Sequence, residues 1–97
     1  MPFEQCFPRP LTASAVHAYA PTLSGVYGIS NAREWIYIGE TDNIRGTLLT
    51  HLRERDTSLM QHQPTGFVYE VCDRAQRPAR QNRLVVEYGP ACNRNLP

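Results

Sequence analysis

Residues 25–52 read GVYGISNAREWIYIGETDNIRGTLLTHL, and this stretch decides the fold. The run 25–30 alternates apolar and small residues, 31–34 supply turn chemistry, and 35–39 return as a second run rich in β-branched and aromatic side chains. Together they read as a β-hairpin. Thr41, Asp42 and Asn43 form an N-cap cluster, after which Ile44, Leu48, Leu49 and Leu52 line one apolar face of a helix running to about Arg55. Sheet and helix are thus neighbours in sequence.

Working outward, residues 56–66 turn polar and end in Pro64, Thr65 and Gly66, a loop, before 67–72 give a third strand. Pro78 suits the start of a second helix, Gly89 its end, and Pro90 a firm stop. Residues 1–22 carry Pro2, Pro8, Pro10 and Pro21 and read as an extended arm, with one short helix capped by Thr12 or Ser14. The order β-β-α-β-α predicts an α/β (α+β) domain over 23–97, a small three-stranded, mainly antiparallel sheet flanked by helices, with 1–22 as an N-terminal extension.

At 97 residues the chain suits one core. Hydrophobic content of 41% with 20% charged residues fits a folded soluble domain, and no apolar run approaches the roughly 20 residues of a membrane span. The first residues lack a basic segment leading into an apolar one, so a cytoplasmic address is expected and no membrane partner. Cys6, Cys72 and Cys92 are widely spaced without a Cys-x-x-Cys pair, which reads as reduced thiols, with Cys72 packed in its strand.

Net charge is +1, yet all ten basic residues are arginine, and five of them follow residue 73, where Glu87 is the only acid. Arg74, Arg77, Arg80 and Arg83 recur every third position and are read either as a phosphate-facing patch or as a solvated helix face.

The tripeptides GVY (25–27) and YIG (37–39), the TDNI cap, a helix ending in His51-Leu52 and the tail VVEYGPACN resemble the GIY-YIG nuclease domain over about residues 23–95. That resemblance implies a phosphodiester substrate, DNA or another nucleic acid, and one divalent metal ion, Mg²⁺ or Mn²⁺. It assigns Tyr27 as general base, Tyr37 to the water and phosphate, His51 to the end of the first helix and Asn93 to the closing asparagine.

Two positions depart from the family. Its arginine falls on Thr47, and Arg45 points about 160° away round the helix. Its metal-holding glutamate falls on Gln81, which shares a helix side with Leu84, Val85 and Tyr88. Glutamine keeps the shape of glutamate without its charge, leaving Glu40 as the substitute carboxylate. Tyr27, Tyr37, His51 and Gln81 are expected to face one groove, Trp35 and Phe67 to lie in the core, and His17 and His62 to take no part. Three readings follow: a nucleic-acid-binding module whose cleavage is impaired or lost, with no cofactor; a metal-dependent endonuclease using Glu40; and a protein-interaction domain.

Overall fold

The computed structural model describes residues 3, 7–54 and 58–95. Four strands form one antiparallel sheet in the order β1-β4-β2-β3: β1 (Arg9–Pro10), β2 (Gly25–Ser30), β3 (Trp35–Thr41) and β4 (Gly66–Val71). Helices α1 (Ala13–Tyr19) and α2 (Ile44–Arg53) cover one face, and α4 (Arg77–Tyr88) covers the other. A single turn, α3 (Ser58–Gln61), interrupts the segment expected as loop, and a 3-10 turn spans Ala91–Asn95. Arg55, the expected end of α2, and Cys6 lie outside the described residues.

The hairpin forms as its alternation predicts, because every residue of β2 is buried between two helical layers. Tyr27, Ile29 and Phe67 pack with Ile44 and Leu48 on the α2 face, while Val26, Ile38 and Val68 pack with Leu84 on the α4 face. Ile29 pairs with Tyr37 but Ser30 pairs with Trp35, so Ile36 is the extra residue of a β-bulge. The bulge breaks the alternation: Ile36 and Tyr37 both serve the α2 face, and Trp35 and Ile38 the α4 face.

The helix ends are written in the sequence. Thr12 accepts from Ala15 N at the start of α1, and Asn43 accepts from Gly46 N at the start of α2. α4 starts at Arg77, one residue before the expected Pro78, and stops at Gly89, whose φ of 58° is left-handed.

Residues expected as a separate arm pack into the common core. Leu11, Val16 and Ala20 join the α2-side cluster, and Phe3 joins the α4-side cluster. Arg9 pairs with Phe67, adding a fourth strand to the three expected, and its guanidinium stacks 3.9 Å from the Tyr19 ring centroid. Among the described residues no helix is long and apolar enough to cross a membrane.

Candidate functional site

β2 and β3 carry Tyr27 and Tyr37 on the α2 face, and the last turn of α2 lowers His51 onto them. The three rings gather with centroids 5.7 Å apart for Tyr27 and His51, 5.9 Å for Tyr37 and His51, and 6.1 Å for Tyr27 and Tyr37. Gly39 is their floor. A Cβ built there would stand 2.6 Å from Tyr27 Oη and 2.8 Å from Tyr37 Cε2, so only glycine lets both rings cross the strand.

Tyr27 is 3% exposed, and its hydroxyl lies 2.9 Å from His51 Nε2. Burial, then the neighbouring Tyr37, pushes the Tyr27 phenol well above its ordinary value. Burial likewise lowers the His51 imidazole, against an opposing pull from Glu54. Both groups are therefore neutral at pH 7, with Tyr27 donating and His51 Nε2 accepting. Among the described residues, no arginine figures among the groups that set either titration.

Thr47 stands on α2 one turn before His51, and its hydroxyl bonds Thr41 Oγ1 at 2.5 Å. Gln81 and Asn93 reach the outer edge of β3 from the opposite layer, so the expected common groove holds Tyr27, Tyr37 and His51 directly, and Gln81 only round the edge. Asn93 accepts from Ile38 N at 2.8 Å and donates to Ile38 O at 3.0 Å, copying the pairing of a neighbouring strand. Gln81 Nε2 donates to the same oxygen at 3.1 Å. An unpaired edge is thereby closed.

The arginine stripe does not face solvent as one patch. Arg77 is 8% exposed; its Nη1 donates to Asp42 Oδ1 and, at 3.3 Å, to Ser24 Oγ. Its Nε lies 3.2 Å from Glu40 Oε1 without an aligned N–H, the one buried side-chain nitrogen or oxygen among the described residues lacking a hydrogen bond. Arg77 also holds the Asp42 carboxyl below its usual range. Arg80 grips Glu70 with two bonds, of 2.7 and 2.8 Å, which raise the guanidinium further. Arg77 and Arg80 are thus corrected from phosphate contacts to internal ion pairs, leaving Arg74 and Arg83 exposed.

The signal was in the spacing. Gln81 and Leu84 mark the inward side of α4, and one turn back from them stand Arg77 and Arg80. Among the residues not expected at the site, Thr41 and Asp42 fix Thr47 and Arg77.

This donor set does not fit a divalent ion. Gln81 turns N–H groups to Ile38 O, Arg77 neutralises Glu40, and among the described residues no three His, Cys, Asp or Glu side chains are placed to hold a metal.

No family model matches the sequence. Among solved structures, the GIY-YIG N-terminal endonuclease domain of UvrC from Thermotoga maritima, bound to its catalytic magnesium, superposes with a TM-score of 0.69. The match is 20% identical and covers 81% of this chain and 92% of that one. The fold is that of the GIY-YIG domain. A tyrosine-to-phenylalanine point mutant of the same Thermotoga domain, with its divalent cation, gives 0.68 at 18% identity over 81% and 92% of the two chains. UvrABC system protein C of Hydrogenobaculum sp. (strain Y04AAS1) is 49% identical over 39 residues, which are 40% of this chain and only 7% of that relative. On the GIY-YIG fold, then, Tyr27, Tyr37 and His51 meet as a ring cluster, beside a Thr47 and a Gln81 engaged in neutral hydrogen bonds.

Proposed function

We propose that this chain is a member of the GIY-YIG nuclease-like family that binds nucleic acid, DNA foremost, and has given up phosphodiester cleavage. The Gln81 amide carries the reading. A phosphodiester hydrolase of this kind needs oxygen donors for its metal and positive charge for the phosphoryl oxygens. Gln81 offers N–H groups to Ile38 O, and Thr47 offers a hydroxyl already bonded to Thr41. Tyr27, on which no cation among the described residues acts, holds its proton far too tightly for a general base at neutral pH.

The similarity in fold to an endonuclease domain supports nucleic acid as the partner. Exposed Arg74, three residues before α4 and 3.7 Å from the exposed Asp42, and exposed Arg83 in the middle of α4 supply charge for phosphates. A working enzyme built on Glu40 would have to strip that carboxylate from Arg77, which lies 3.2 Å away. The interaction-domain reading rests on no particular contact. Two measurements decide: cleavage of labelled DNA with Mg²⁺ and with Mn²⁺, expected to be nil, and DNA affinity at two salt concentrations, expected to fall with salt. Robust cutting overturns the loss of activity, and absence of DNA binding at low salt overturns the partner.

A further inference from the structure

Among the described residues, the ring cluster over Gly39 has no cation acting on it. Thr47 and Gln81 are neutral and engaged with Thr41 and Ile38, and the one formal charge among the described residues that acts on His51 is the carboxylate of Glu54, which would repel a phosphate.

The rings themselves are half available. Tyr27 is buried, but Tyr37 and His51 keep part of their surface in solvent. Their planes meet Tyr27 at 47° and 52° and each other at 60°, so none of the three stacks face to face on another. The aromatic cluster on the opposite side of the sheet is different, because there the chain's own Phe3 stacks on Trp35 at 19° and on Tyr88 at 28°. One cluster is filled by a flat ring of the protein stacked on its neighbours; in the other, the partly exposed Tyr37 and His51 rings are stacked face to face on no other ring of the cluster. Beside it, Gln81 spends its amide nitrogen on Ile38 O, and its oxygen is left as an acceptor at the β3 edge.

We propose that the Tyr37–His51 side of this cluster takes an uncharged, unstacked nucleobase of single-stranded nucleic acid, rather than a phosphate group. The inference rests on the nucleic-acid reading above and adds the part of the ligand that the old nuclease site recognises. Base stacking tolerates any sequence, since every base has a π face, so the contact selects strandedness and not sequence. Phosphates are left to the exposed Arg74 and Arg83.

The test is fluorescence anisotropy with three labelled probes of equal length: a mixed-sequence single strand, the same backbone carrying abasic tetrahydrofuran units, and the duplex. The single strand should bind about 5- to 150-fold tighter than the abasic strand, the worth of one stacked base, and tighter than the duplex. Tyr37→Ala should erase the advantage over the abasic strand and leave the salt dependence unchanged, whereas Tyr37→Phe should keep it. Equal affinity for base-bearing and abasic strands in the parent protein overturns the inference while leaving the binding reading standing. Binding to none of the probes overturns the binding reading itself and favours a protein partner. The comparison on the parent protein decides the matter even where Tyr37→Ala fails to fold.

Discussion

Tyr27 Oη and His51 Nε2 meet at 2.9 Å above the bare backbone of Gly39, two neutral groups holding one proton between them. A tyrosine that abstracts protons needs a cation to lower its pKa. Here burial works the other way, raising the Tyr27 phenol and lowering the His51 imidazole, so the two are joined as neutral partners.

One tyrosine of the five should therefore ionise far later than the rest. Its raised pKa favours the neutral form in the folded state, so this contribution to stability is complete below the unfolded value of about 10 and is lost as pH rises through the folded one. Ultraviolet titration should show one tyrosinate equivalent missing until alkaline unfolding, and Tyr27→Phe should remove that late fraction alone. A Tyr27 that ionises with the others would return it to general-base chemistry.

On the acid side His51 sets the first loss. Its pKa is depressed by burial, so the unfolded chain binds the extra proton, and stability is full above about 6.5 and falls as pH drops through the folded value. Asp42, lowered by Arg77, acts in a separate window below its ordinary value near 3.8. Urea midpoints measured from pH 7.5 to 5 should decline, and His51→Gln should flatten that decline.

The salt dependence of DNA binding distinguishes exposed from internal arginines. Arg74→Glu with Arg83→Glu should reduce the slope of log affinity against log salt by about 1.8, at about 0.9 per phosphate lost. Arg80→Gln should leave the slope unchanged, because its guanidinium is already spent on Glu70. A drop in slope for Arg80→Gln would restore the continuous arginine patch.

Much of this arrangement was legible in the chain. Alternation located β2, β3 and β4, side-chain caps at Thr12 and Asn43 opened two helices, and Gly89-Pro90 closed a third. The resemblance to the GIY-YIG motif pointed to Tyr27, Tyr37 and His51, and the hairpin register and the last turn of α2 bring their rings together. What could not be read was non-local. The two-residue β1 is created by pairing with β4, more than fifty residues on, and Phe3 finds Trp35 and Tyr88 only in three dimensions. The bulge at Ile36, which turns Tyr37 toward α2, has no signature in an apolar run. Arg77 and Arg80 misled because a three-residue arginine repeat suggests a surface, while their carboxylate partners sit on strands, Glu40 on β3 and Glu70 on β4, that only the folded chain brings against α4.

Arg77 should prove a stability determinant. It ties the first turn of α4 to the β3–α2 turn through Glu40 and Asp42, and Arg77→Met strands Glu40 without its cation. Loss of a partner in a buried pair costs about 3–5 kcal/mol; with Asp42 67% exposed on its side chain, about 1–3 kcal/mol is expected from chemical unfolding. Arg77→Met with Glu40→Gln should recover part of the loss. Equal stability of parent and Arg77→Met would mean that solvent already screens the pair.

The last expectation concerns cleavage, and it rests on Thr47 and Gln81 together. On the proposed reading the parent protein should not cut DNA with Mg²⁺ or Mn²⁺, because loss of one charge-stabilising donor alone costs about 10²–10³ in rate, and Thr47 and Gln81 offer neither a guanidinium nor a carboxylate. Gln81→Glu puts two acceptor oxygens at the β3 edge and should confer a rise in melting temperature with Mg²⁺ that the parent lacks. Thr47→Arg must break the bond to Thr41, but it returns a positive charge beside Tyr27 and should lower the phenol's pKa, an effect the tyrosinate titration reads without any activity. The double variant is the smallest change that restores both charges, and Tyr27→Phe should abolish whatever cleavage it shows. Cutting by the unmodified protein, lost on Glu40→Gln but kept on Gln81→Ala, would instead mean that Glu40 leaves Arg77 to hold the ion.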